Sequence, residues 1–71
     1  MMKFVLNGKE EFLLKSLTIS EFLMAKNWEP ERIVVELNRE IIPKEVWADI
    51  VLKEDDKMEV LRFVGGGRLH G

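Results

Sequence analysis

The sequence predicts an α+β domain in which a mixed sheet of four to five strands packs against one main helix and a short helical turn. Three observations predict this fold class. Short runs near both ends of the chain alternate between apolar and polar residues, one stretch between them has helical periodicity, and turn-forming residues separate the runs. With 71 residues, the chain can form one core and has no room for a large buried cleft.

The N-terminal runs predict a hairpin. Residues 2–7 alternate in polarity, which indicates a strand with one face on the core. The apolar residues that share this face are Met2, Phe4 and Leu6. Asn7 and Gly8 form the dipeptide that a type I′ turn favours, because both central residues need a positive φ. A second, less regular strand is expected near residues 11–15. Its apolar residues on one face are Phe12 and Leu14.

A helix is predicted to begin at Thr18. Thr18 can cap the first turn, and Glu21, three residues later, completes a capping box. Apolar residues at helical spacing form the stripe that should be buried: Ile19, Phe22 and Leu23. We expect the helix to end near Asn27, because Pro30 disfavours helical geometry in the residue before it.

The middle of the chain predicts two more strands and a helical turn. Residues 33–37 are the most β-prone run, and alternate residues should point inward: Ile33, Val35 and Leu37. A turn at residues 38–39 leads into a short strand at 40–42, which Pro43 ends because it cannot donate to a ladder. Residues 43–49 are expected to form one helical turn, with Trp47 packing at the edge of the core.

The last strand is predicted at residues 58–64. Met58 and Val60 share one face, whereas Glu59, Leu61 and Phe63 share the other. Because Glu59 should lie in water, the two apolar residues beside it should lie on or near the exposed face. They form either a docking surface or ordinary sheet packing.

This order of elements predicts the β-grasp, or ubiquitin-like, arrangement. The helical crossover allows the first and last strands to lie side by side and parallel in the centre of the sheet. Residues 1–64 would form this domain, and residues 65–71 a flexible, glycine-rich C-terminal tail.

Composition excludes several functions. The chain has no cysteine and a single histidine, His70, so we expect no thiol chemistry, no metal site and no autonomous enzyme. The net charge of −2 argues against nucleic-acid binding. No apolar run approaches the roughly 20 residues of a membrane span, and no signal peptide is evident. We expect a cytoplasmic protein that is monomeric alone and binds no cofactor.

Three glycines at 65–67 follow the last strand directly. Glycine has no side chain to pack, so these residues cannot extend the core. They would form a thin strap that could bring the chain terminus into the active site of another protein. The alternative is an ordinary frayed tail.

Three stretches resemble the ThiS family, the sulfur carrier proteins of thiamine thiazole biosynthesis. They are Asn7-Gly8, the run VELNREIIPKEVW at 35–47, and the closing FVGGG at 63–67. The middle run is the most specific of the three, since many ubiquitin-like proteins end in glycines. The resemblance covers residues 2–67, and it implies a β-grasp fold.

The resemblance also implies a function. In that family a ThiF-type, E1-like adenylyltransferase uses ATP to activate the terminal glycine, and sulfur from a cysteine-derived donor then converts it to a thiocarboxylate. A ThiG-type thiazole synthase accepts the sulfur. Gly67 would be the modified residue, next to Gly66. The partner contacts would come from the residues before them: Leu61, Arg62 (facing an acidic partner surface), Phe63, Val64 and Gly65.

One feature departs from the family pattern, in which the chain stops at the glycines. Here residues 68–71 follow, so we expect Gly67 to become the working terminus after this extension is removed. Two other functions stay open at this point. One is the small subunit of molybdopterin synthase, which has the same fold and terminal chemistry, and the other is a non-catalytic ubiquitin-like interaction module.

Overall fold

The computed structural model describes residues 1–64 and 68–69, and it has the predicted α+β, β-grasp architecture. The elements in chain order are β1 (Met2–Leu6), β2 (Lys9–Leu13), α1 (Ile19–Ala25), a 3₁₀ turn (Pro30–Arg32), β3 (Ile33–Leu37), β4 (Glu40–Ile42), a second 3₁₀ turn (Lys44–Asp49), β5 (Lys57–Val64) and β6 (Arg68–Leu69). The strand order is β2-β1-β5-β3-β4, and β6 pairs with β5. As predicted, β1 and β5 are parallel neighbours at the centre.

The hairpin turn forms as predicted, but β2 begins earlier than expected. Asn7 and Gly8 have φ of 50° and 82°, the positive values of a type I′ turn. A two-residue loop pairs Leu6 with Lys9, and this pairing fixes the register of the whole strand. The core residue of β2 is therefore Leu13. The predicted strand at 11–15 was wrong by two residues, and the two apolar residues assigned to it are both exposed: Phe12 and Leu14.

The start of α1 confirms the predicted capping box. The Glu21 N–H donates to Thr18 Oγ1 at 3.1 Å, and the Thr18 N–H donates to Glu21 Oε1 at 2.9 Å. These two bonds satisfy backbone donors that the first turn would otherwise leave without partners. The predicted apolar stripe is buried in full: Ile19, Phe22 and Leu23.

The helix ends near Asn27, as predicted, but for a local reason. Asn27 has a φ of 61°, and its N–H donates to the Met24 carbonyl at 3.0 Å. The Trp28 N–H donates to the Leu23 carbonyl at 3.2 Å. Together these bonds form a Schellman motif, in which a left-handed residue closes the last turn. Asparagine tolerates that conformation, so the helix ends before Pro30 has any effect.

The second half of the chain also follows the prediction. β3 and β4 form a second two-residue hairpin, in which Asn38 and Arg39 both have positive φ, at 51° and 73°. Arginine in the left-handed region costs free energy that glycine would avoid. Trp47 is buried in the second 3₁₀ turn, and its Nε1–H donates to the Ile42 carbonyl at 2.9 Å.

One apolar cluster holds these elements together. Its buried members are Phe4, Leu6, Leu13, Ile19, Phe22, Leu23, Ile33, Val35, Leu37, Trp47, Leu52, Met58 and Val60. The Phe4 and Phe22 rings meet edge to face at 5.2 Å, which joins the central strand β1 to the helix. The opposite face of the sheet has no helix of the described chain on it. Within the described residues, no helix has the length and apolar character needed to cross a membrane.

Candidate functional site: the end of β5 and the outer face of the sheet

The faces of β5 match the prediction. Met58 and Val60 are buried in the core, whereas Glu59 and Leu61 are exposed. Leu61 exposes 48% of its surface, and Phe63 is half-buried. Leu61 and Phe63 therefore share the outer face of the sheet, the face opposite the helix.

Neighbouring strands hold β5 over only part of its length. β3 pairs with it as far as Ile33 opposite Arg62, whereas β1 pairs only with Lys57 and Met58. The Asn7 side chain extends the β1 contact, because the Val60 N–H donates to Asn7 Oδ1 at 2.7 Å and Asn7 Nδ2 donates to the Val60 carbonyl at 3.4 Å. Beyond Arg62, the strand passes the end of its pairing with β3.

Arg62 lies on the opposite face from its two apolar neighbours. Its guanidinium lies over the Trp28 ring, 5.6 Å from the centroid, and that ring meets Phe22 edge to face at 6.5 Å. This cation–π contact ties β5 to the residue that closes α1. Sequence reasoning missed it, because nothing in the spacing of Trp28 and Arg62 shows that they meet. The acidic partner contact expected of Arg62 stays a prediction.

The last described residues pair with β5. Val64 pairs with Arg68, and Phe63 pairs with Leu69, in an antiparallel arrangement. The predicted site residues Gly65, Gly66 and Gly67 lie outside the described residues, so the roles assigned to them stay predictions. Of the flexible tail predicted at 65–71, the structure describes only residues 68–69, which form β6, so the flexibility of the tail stays a prediction.

The outer face carries an open groove of about 410 Å³ next to the predicted docking residues. It spans β3, β4, β5 and the β3–β4 turn. Its lining residues are Val34, Glu36, Arg39, Ile41, Lys57, Glu59 and Leu61. Sequence reasoning identified only Leu61 of this set. The alternation in residues 33–37 already placed Val34 and Glu36 outward, but the groove depends on strand pairing that the alternation does not give.

The described part of the site lacks the side-chain groups of a metal centre. Among the described residues, no group of three or more His, Cys, Asp or Glu side chains is placed to hold a metal ion. Their buried side-chain polar atoms all have hydrogen-bond partners. The candidate site among the described residues is the outer face of the sheet around Leu61 and Phe63.

Comparison with known proteins identifies the family. The model of the ThiS family matches residues 4–67. The chain belongs to the ThiS family. It is 40% identical over 63 residues to the sulfur carrier protein ThiS of Bacillus subtilis, a match that covers 87% of this chain and 96% of that protein. The crystal structure of the thiamine biosynthesis protein (ThiS) from Geobacter metallireducens superposes with a TM-score of 0.79 at 36% identity, covering 93% of this chain and 100% of that one.

ThiS-like sequence also occurs within longer proteins. The chain is 36% identical over 66 residues to a thiazole synthase of Paramagnetospirillum magneticum, covering 93% of this chain and 20% of that protein. A thiazole synthase of Magnetococcus marinus gives a similar match, covering 21% of its length. The chain thus spans about a fifth of the length of these curated relatives.

Proposed function

We propose that this chain is a sulfur carrier for thiazole formation in thiamine biosynthesis, and that its C-terminal acyl group carries the sulfur. The observation that carries this proposal is the family match, which ends at Gly67, the last of the three glycines. Near-complete coverage of the Bacillus subtilis sulfur carrier protein supports it. In this function the chain is a protein substrate and not a catalyst.

The chemistry is the one that the family resemblance implies, and it suits the residues that this chain has and lacks. The Gly67 carboxylate attacks the α-phosphorus of ATP on an adenylating enzyme, forming an acyl-adenylate and releasing pyrophosphate. A sulfur nucleophile from a cysteine-derived donor then displaces AMP and leaves a thiocarboxylate. The chain has no cysteine on which to hold sulfur as a persulfide, so the acyl end is the place left for it. Glycine puts no Cβ beside the attacked carbon.

Two partner proteins follow from this chemistry. A ThiF-type, E1-like adenylyltransferase would supply ATP and the activation step, so the carrier needs no bound cofactor. A ThiG-type thiazole synthase would take the sulfur. Support for the second partner comes from the two relatives named thiazole synthase, in which ThiS-like sequence is part of the same polypeptide. These relatives favour a thiazole acceptor over a pterin. We place this exchange in the cytoplasm, with a carrier that is monomeric alone.

The test changes one chemical group, the carboxylate of Gly67. Thiazole formation would be reconstituted with the adenylating enzyme, ATP, the sulfur donor and thiazole synthase, using the chain that ends at Gly67 either as a free acid or as the C-terminal amide. The free acid should support thiazole formation and the amide should not, because the amide removes the activated carboxylate and keeps every side chain. Sulfur delivery by the amide, with its fold verified by circular dichroism, would refute the proposal.

A second prediction concerns the docking end of β5. Phe63→Asp should weaken binding to the adenylating enzyme at least about tenfold, since apolar anchors at the centre of an interface dominate its energy. The fold should survive, because Phe63 is only half-buried and lies beyond the pairing with β3. Calorimetric titration measures the affinity, and thermal melting reports the fold.

A matched control comes from the far edge of the same face. Phe12, on β2, is 54% exposed, and Phe12→Asp makes the same chemical change away from the chain end. Its affinity should equal that of the wild type. If Phe63→Asp unfolds the domain, Phe63 is a core residue and its assignment to the docking face is wrong.

A further inference from the structure

The groove on the outer face changes character along β5. Nearest the chain end, Val34 lies directly opposite Leu61. One step further from the end, Glu36 lies opposite Glu59. Lys57 and Arg39 line the groove at the far end, beside the β3–β4 turn. Residues two apart on a strand are about 6.7 Å apart, so β3 and β5 present an apolar row and then an acidic row at that spacing, with the basic pair beyond them. Ile41 of β4 lies opposite Glu36 and adds an apolar side chain at the edge of the acidic row.

The middle row is unfavourable for the isolated domain. Glu36 and Glu59 face each other across two antiparallel strands, and like charges in that position destabilise a sheet. Glu36 is half-buried. Among the side chains that the structure describes, no cation forms an ion pair with either carboxylate. A positively charged residue at either position would make the sheet more stable.

The far row contains a second unfavourable choice. Arg39 has a φ of 73°, in a two-residue turn where glycine would be less strained. The Glu36–Glu59 pair and Arg39 both reduce the stability of the fold, and all three residues line the same groove. Leu61, which lines the groove, also lies on the same face of β5 as Phe63, two residues nearer the end of that strand. Residues that reduce the stability of a fold tend to gather where a protein binds something.

We propose that this groove receives a segment of the adenylating enzyme whose side chains run apolar, basic and acidic away from the point where the carrier terminus enters. An arginine or lysine of that segment lies over Glu36 and Glu59, and a carboxylate faces Arg39 and Lys57. The proposal rests on the proposed function and adds the chemistry of the partner surface. The three rows set the register of docking, so the chain end is aligned with the activation site before it enters.

The test can separate binding from stability, because the variants should lower the affinity without lowering the melting temperature. Glu36→Gln and Glu59→Gln should each weaken binding to the adenylating enzyme about three- to tenfold, because each leaves a partner cation without its counter-charge. Each variant should melt at or above the wild-type temperature, since the like-charge pair is gone. Arg39→Gly should behave in the same way, with higher stability and lower affinity. The salt dependence of binding should fall in both glutamine variants.

Glu40 supplies the matched control. It is exposed on β4, next to Ile41 but on the other face of that strand, and Glu40→Gln should leave both affinity and melting temperature unchanged. If the wild type binds and is adenylated but the glutamine variants bind with unchanged affinity, docking in the groove is refuted and the proposed function is unaffected. Groove-dependent binding without any thiocarboxylate would overturn the proposed function alone. Absence of binding by the wild type would overturn both.

Discussion

A chain of residues 1–71 is expected to gain sulfur at least about 100-fold more slowly than a chain ending at Gly67, since misplacement of a reacting group by about 1 Å can cost that much. In the 1–71 chain the terminal acyl group is that of Gly71, and Leu69 and His70 precede it. Their side chains widen the segment that must enter the active site. Residues 68–69 are also paired with β5, so part of the extension lies against the folded domain. The family match excludes all four residues of the extension.

Intact mass measures this prediction directly. Each form is incubated with the adenylating enzyme, ATP and the sulfur donor, and the exchange of one oxygen for one sulfur is followed with time. A third form, with residues 68–70 replaced by glycines, keeps the length and removes the side chains. If steric width limits the reaction, this form should react faster than the unaltered 1–71 chain. Equal thiocarboxylate formation in all three, with the sulfur located on residue 71 in the two longer forms, would show that no trimming is needed.

Local signals in the sequence were enough to predict most of the fold. The Asn7-Gly8 turn and the Thr18–Glu21 capping box depend only on residues a few positions apart, and both form as expected. The alternation of β3 and β5 gave their buried faces correctly. Such features are predictable because they depend on residues that are close together in the sequence.

Features that depend on pairing between distant segments were not predictable in the same way. The register of β2 came from the length of the turn, and its irregular alternation misled the prediction. Arg62 and Trp28 are distant in sequence, and only the packing of α1 against β5 brings them together. The groove likewise needs Glu36 to face Glu59, which a run of residues on one strand does not reveal. Of the residues that line the groove, only Leu61 was therefore predicted as a partner contact.

Trp47 carries the largest expected effect on stability. It is 4% exposed, and its indole N–H donates to the Ile42 carbonyl at 2.9 Å. This bond ties the second 3₁₀ turn to the end of β4, where Ile41 borders the groove. Trp47→Ala removes both the ring and the donor, at a cost of about 3–5 kcal/mol for a buried aromatic. A core of this size stabilises a domain by about 3–5 kcal/mol in total, so the variant should be largely unfolded.

Urea denaturation followed by circular dichroism measures the result, and two variants isolate its causes. Trp47→Phe keeps most of the apolar volume and loses the donor, so it should lower the free energy of unfolding by about 1–3 kcal/mol, the cost of a buried carbonyl left without a partner. Val46→Ala changes a neighbour at the surface and should stay within about 0.5 kcal/mol of the wild type. A cooperative transition for Trp47→Ala, within about 1 kcal/mol of the wild type, would mean that the core closes without the indole. The family-like run at 35–47 would then owe its tryptophan to something other than packing.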